Sequence, residues 1–343
     1  MSGKAVKIIL GVILLALLAV GGVAFYIYSI LSCPVSKAQD YTIYIRPQDT
    51  QESVIKSIVD GNPEADLRGL KLWMNHRDYA NNVHTGCYTI RNGANARRVT
   101  DMLASGSQTP VRLTIRSART VGQMAQNISQ QLMLDSASVA QRLTDSAWLD
   151  SVGYTPATAF CMIIPNTYEV YWNVGPHALM ARLIKERDRF WTDARKSKAR
   201  SIGLSELQVM TLASIVEEET AKSDELAMVA GLYMNRLNRH MLLQADPTVI
   251  FALGGERPKR VLKKHLEIDS PYNTYRYAGL PPAPIRFVNT RSIDAVLDYT
   301  HHKYLYMCAK EDFSGYHNFA TTLSQHNANA ARYQRALSQA GIR

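Results

Sequence analysis

SELQVMTLASIVEEETAK, residues 205–222, is the stretch on which the reading of this chain turns. Ser205 and Gln208 have the spacing of a capping box, so a helix starts here. On a 3.6-residue wheel Val209, Leu212, Ala213, Ile215 and Val216 form one apolar stripe. The three glutamates behind them do not fall alike. Glu218 points to the opposite, solvated face, Glu217 sits at the stripe's edge, and Glu219 lies in angle between Leu212 and Ile215. A carboxylate among apolar side chains is costly unless it is paired. In a cleft the same placement raises its pKa and keeps it protonated near neutral pH, as a general acid requires. A helix-end glutamate paired with a neighbouring Lys or Arg would show the same pattern.

Outward from this helix, the N-terminus sets the compartment. Residues 8–35 carry no charge, and 8–30 suffice to cross a bilayer. Lys4 and Lys7 precede them, so residues 1–7 are expected in the cytoplasm and the rest outside it. A cleaved signal peptide, or a lipoprotein site at Cys33, would need a shorter apolar run; a single-pass anchor fits better. Cys87, Cys161 and Cys308 show no CxxC spacing and no paired histidines, which argues against zinc and for small buried residues. The formal charge of +10 suits an anionic partner such as an acidic polymer, nucleic acid or lipid headgroups, and export removes nucleic acid. Much of that charge lies in 185–200, read as a solvated helix face.

The chain has room for about two or three small domains. After the anchor a pattern repeats. Ile45, Ile90 and Ile115 each end a short alternating strand. Five residues beyond each stands a capping residue: Thr50, Asn95 and Thr120. Apolar pairs follow at helical spacing: Val54 and Ile58, Val99 and Leu103, Met124 and Ile128. Three such strand–turn–helix units are expected to stack into a small α+β domain over 41–134, with a mixed helical and strand domain over 135–343. Residues 164–168 read as an extended turn, 225–240 as a second helix with Tyr233 in its core, and 304–307 with 317–319 as a hairpin. Proline-fixed loops beside the glutamate helix offer Gln244, Tyr272, Asn273, Tyr275 and Asn318, the flat faces and planar amides that carbohydrate needs.

These residues resemble the membrane-bound endolytic murein transglycosylases. The resemblance runs through LASIVEEET (212–220), NRL (235–237), QADPT (244–248), YNTY (272–275), GLPP (279–282), YLY (304–306) and HNF (317–319), with PNTY at 165–168 ahead of them. With the anchor, it covers nearly the whole chain. It implies an α+β protein with a transmembrane helix, a LysM-like subdomain over 41–134 and a catalytic domain over 135–343. The implied location is the bacterial inner membrane with the catalytic part in the periplasm. The implied substrate is the glycan strand of peptidoglycan, cut close to where it is made so that elongation ends; association with peptidoglycan synthases would suit that position. The family's catalytic glutamate falls on Glu219, the residue the wheel singles out. Ala283 stands where the family usually has glycine, a small change beside the cleft; the turns at 46–50 and 116–120 lack expected glycines, which counts against sugar binding by the LysM-like part and leaves the catalytic assignment untouched.

The implied chemistry uses one carboxylate twice. Protonated Glu219 donates to the oxygen between N-acetylmuramic acid and N-acetylglucosamine, then takes the proton of the muramic acid 6-hydroxyl as that oxygen closes on its own anomeric carbon. The product is a 1,6-anhydro end, and neither metal nor cofactor is required. Gln244, Asn273 and Tyr275 are the candidates for positioning the sugars. A hydrolase would instead need a second carboxylate, for which Asp246 is the candidate. A wall-binding anchor without catalysis would have no use for an acid on an apolar stripe.

Overall fold

The apolar N-terminus forms α1 (Gly3–Ser32), exposed almost throughout until Ile30. This is a computed structural model, and it describes residues 3–36, 39–254 and 261–342. Two compact units emerge, one running up to Arg112 and including Glu169–Asn173, the other formed by Leu113–Tyr168 and Val174–Arg343.

In the first unit β1 (Tyr41–Ile45) and β2 (Gly86–Ile90) pair antiparallel, with Tyr41 opposite Ile90 and Ile45 opposite Gly86. Helices α2 (Gln51–Gly61), α3 (Leu67–His76) and α4 (Ala96–Ala104) complete it. Thr50 and Asn95 cap α2 and α4 through their side chains, as the repeat predicts. Val54, Ile58, Val99 and Leu103 are buried with Ile43, Ile45, Leu70, Met74 and Tyr88 in one core. The end of α1 is built into this unit. Ile30 is buried, and a Cβ on Gly69 would stand 2.1 Å from its carbonyl oxygen, so only glycine lets α3 approach.

The third repeat departs from the expected stack. Thr120 does cap α5 (Val121–Ser129), and Met124 and Ile128 are buried. However, β3 (Val111–Thr114) joins β4 (Thr167–Val170), the strand that grows from the PNTY turn. Thr109 still donates its amide to Cys87 O (2.8 Å), but the strand that follows pairs with β4 and not with β2. Residues 113–134 therefore belong to the second unit, where α5 lies against α6 (Ser136–Thr144).

The second unit continues with α7 (Ser146–Ser151), α8 (Pro176–Phe190), α9 (Asp193–Ser201), α10 (Glu206–Glu219), α11 (Leu226–Asn238), α12 (Asp246–Ala252) and α13 (Thr290–Leu297). A hairpin of β5 (Tyr306–Ala309) and β6 (His317–Ala320) precedes α14 (Leu323–Gln339). The capping box of α10 is present in both directions: Ser205 N donates to Gln208 Oε1 (2.8 Å) and Gln208 N to Ser205 Oγ (3.2 Å). Instead of one apolar stripe, every residue from 209 to 216 is buried, because neighbouring helices surround α10. Thr211 and Ser214 fit inside by bonding to the carbonyls of Leu207 and Thr211. The charged stretch 185–200 is not one solvated face either. It spans the break between α8 and α9, with Trp191 buried, Arg187 paired to Glu206 (2.7 Å) and Arg195 to Asp294 (3.0 Å). Cys87 and Cys161 are buried and Cys33 and Cys308 partly exposed, all four as free thiols.

Candidate active site

Helix α10 ends in three consecutive glutamates that go to three different environments. Glu217 accepts from Ser117 Oγ (2.7 Å), Asn289 N (2.8 Å) and Asn289 Nδ2 (2.7 Å). Glu218 is not on a solvated face: its side chain is 9 % exposed, held bidentately by Arg119 (2.7 and 2.9 Å) and again by Arg286 (2.5 Å). The wheel placed it away from the stripe correctly, but arginines from residues 119 and 286 cover that face. Glu219 turns the other way, into a cleft of about 400 Å³.

The cleft is lined by Glu219, Tyr233, Arg236, Gln244, Asp246 and Tyr275, with Tyr306, His317 and His326 on further walls. Tyr233, on α11 and 2 % exposed, donates its hydroxyl to Glu219 Oε1 (2.7 Å). Loss of hydration pushes the Glu219 carboxyl up to about 7; the nearby Asp246 and Glu218 charges push the same way, while Tyr233 and Arg236 pull it down. The balance leaves a carboxyl half protonated near neutrality, able to give a proton and to take one. Arg236 is buried at 7 % exposure and holds the cleft's rim together, donating to the carbonyls of Leu305 (2.6 Å), Leu242 (3.2 Å) and Leu243 (2.8 Å).

Asp246 opens α12, with Pro247 behind it, and accepts the Tyr275 hydroxyl (2.5 Å). Burial and the Asp246 carboxylate together drive the Tyr275 phenol well above its ordinary pKa, so it stays a donor. Gln244 sits in a left-handed backbone conformation (φ 51°) with its amide N–H on Thr274 O (3.1 Å), which presents its side chain at the cleft.

Asn273 is a correction. It is fully buried, and its side chain donates to Leu266 O (2.9 Å) and Ile268 O (2.8 Å) and accepts from Tyr275 N (3.0 Å). It folds the loop that carries Tyr275 and does not face the cleft. Tyr272 likewise packs on Phe251 (4.7 Å between rings), and Asn318 donates to Glu311 (2.7 Å).

Three cleft residues escaped the sequence reading. Helical spacing puts Tyr233 in the core, but a tyrosine on a buried helix face needs a partner for its hydroxyl, and that need is the available signal. Arg236 and His317 lie within the NRL and HNF motifs but had no role there. His317 is oriented by buried Glu225, which accepts its Nδ1 (2.9 Å), its backbone N (2.8 Å) and Thr220 Oγ1 (3.1 Å). Among the described residues no three His, Cys, Asp or Glu side chains come together as a metal centre would need.

A cleft in an α+β unit, floored by a helix-end carboxyl with a raised pKa, has the features that acid–base chemistry on a polar ligand requires. Sequence comparison carries this further: residues 43–332 match the YceG-like family, and the chain belongs to it. An endolytic murein transglycosylase of Bacillus subtilis is 29% identical over 335 residues, spanning 92% of this chain and 91% of that protein. One from Streptococcus pneumoniae is 28% identical over 176 residues, half of this chain and 31% of that longer protein. The 2.6 Å crystal structure of a putative yceG-like protein from Listeria monocytogenes superposes with a TM-score of 0.57 at 26% identity, covering 84% of this chain and 98% of that one.

Proposed function

We propose that this chain is an endolytic murein transglycosylase held to the bacterial inner membrane by α1, with both units in the periplasm. The observation that carries the reading is the Glu219 carboxyl, poised at about 7 on the cleft floor. Glu219 protonates the oxygen between N-acetylmuramic acid and N-acetylglucosamine as the anomeric carbon gains oxocarbenium character. The carboxylate so formed takes the proton of the muramic acid 6-hydroxyl, whose oxygen bonds to that carbon. Proton count closes without water, and Glu219 ends as it began. Gln244 and Tyr275, which line the cleft, position the sugars. The first unit, built on the repeat, is the LysM-like part, and cutting beside the membrane would end strand elongation near the synthases.

A second reading rests on Asp246, whose carboxylate lines the same cleft. As the second group of an ordinary hydrolase it would yield reducing ends. Mass spectrometry of products from uncrosslinked glycan strands separates the two. Anhydro ends from the wild type, with at least about a thousandfold loss in Glu219→Gln, are expected; reducing ends would move the assignment to a hydrolase.

A further inference from the structure

The first unit carries a groove of about 1000 Å³ lined by Arg91, Asn92, Asn95, Arg97, Arg98 and Asp101. All three arginines are exposed. Arg97 is shared with Asp101 (3.7 Å) and lies over the Trp73 ring, whereas Arg91 and Arg98 form no ion pair among the described residues. Asp40 approaches from the side and accepts the Asn92 amide (2.8 Å). The groove is thus a cationic concavity whose charge is only partly neutralised.

Its position is set by α1. Val35 N donates to Ala94 O (2.8 Å), Gly93 N donates to Ser36 O (2.9 Å), and Pro34 bridges Asn95. Helix α1 ends at Ser32, so residues 34–36 lie within roughly 7–14 Å of chain from its end. Ile30, buried beside Gly69 and Ala96, fastens the helix itself to α3 and α4. Phe25, Tyr26 and Tyr28 are exposed just before it, the aromatic belt expected where a spanning helix leaves the hydrocarbon. The polar layer on each side of that hydrocarbon is roughly 5–8 Å deep. With α1 in a bilayer, the groove opens at headgroup depth.

We propose that this groove seats the first unit on the membrane by taking the phosphate of anionic lipid headgroups, with Arg91 and Arg98 as its contacts. The inference rests on the reading of α1 as an anchor. Guanidinium forks match phosphate oxygens. A glycan strand would call for flat aromatic faces, and none of the described lining side chains is aromatic.

The test uses the full chain in vesicles of phosphatidylcholine, alone or mixed with phosphatidylglycerol. Flotation comes first: a chain that fails to float with phosphatidylcholine vesicles overturns the anchor reading, and this inference with it. Hydrogen exchange of the amides at 91–98 comes next. Each arginine near an anionic surface is worth about fivefold, so exchange roughly 25-fold slower with phosphatidylglycerol is expected, reversed by high salt and absent in Arg91→Gln with Arg98→Gln. Equal exchange in both lipids overturns the proposal. So does protection produced in phosphatidylcholine by inorganic phosphate or by uncharged glycan fragments but not by phosphatidylglycerol.

Discussion

A tyrosine hydroxyl 2.7 Å from Glu219 helps set the pH range over which that carboxyl holds its proton. Tyr233 stabilises the carboxylate and pulls the pKa down against burial. Activity that needs the protonated form should fall as pH rises through about 7. Tyr233→Phe removes the downward pull, so this limb should move to higher pH by about one pH unit, the worth of one charge-assisted hydrogen bond, read from kcat against pH. Glu219→Gln has a stability consequence as well. The folded carboxyl binds its proton more tightly than the unfolded one, an advantage present below the ordinary carboxylate range and lost as pH rises through about 7. The wild type therefore carries a half-buried, poorly hydrated carboxylate at pH 8 that the glutamine variant lacks. Thermal unfolding should find the variant more stable by on the order of 3 kcal/mol at pH 8 and equal at pH 4.

Helix α10 delivers Glu219 because its end is gripped from the opposite side. Arg286 reaches both Glu217 (3.2 Å) and Glu218 (2.5 Å), is itself 13 % exposed, and donates to Ser117. Arg286→Ala leaves two mostly buried carboxylates short of a partner, and a loss of about 3 kcal/mol in urea unfolding is expected. The start of this helix was legible in the sequence because a capping box is a local device of four residues. Its surroundings were not. Glu218 meets Arg119 99 residues away and Arg286 68 residues away in the chain, and no wheel carries that information. Gly231 in α11 makes the same point. A Cβ there would stand 2.2 Å from Thr300 O, so Gly231→Ala should push the 300–302 segment off α11 and cost about 2 kcal/mol by the same measurement.

Across the chain, a membrane-length helix ends inside a folded unit instead of on a linker. Ile30 fills the place beside Gly69, so a truncation has to respect it. Removal of residues 1–28 should release the protein from membranes in a flotation assay while product analysis finds soluble glycan strands still cleaved. Removal of 1–32 should in addition lower the first unit's stability, since Ile30 is taken from its core and Leu31 from against it. The Glu219 cleft is built wholly from residues of the second unit, which is why cleavage should persist.

The sequence by itself determined what depends on near neighbours: the apolar span, the caps Thr50, Asn95, Thr120 and Ser205, the apolar pairs behind them, and the odd angle of Glu219. Each rests on spacing within a few residues, where backbone geometry alone decides which side chains meet. Tertiary structure decided where the third repeat went, because the PNTY strand, more than 50 residues further along the chain, supplied the partner for β3. It also decided that Asn273 serves its own loop while Gln244 and Tyr275 reach the cleft. An amide reads the same in sequence whether it faces ligand or backbone, and only the packed loop assigns its hydrogen bonds. Likewise, the raised pKa of Glu219 needed the whole cleft, since loss of water is a property of everything that closes over a residue.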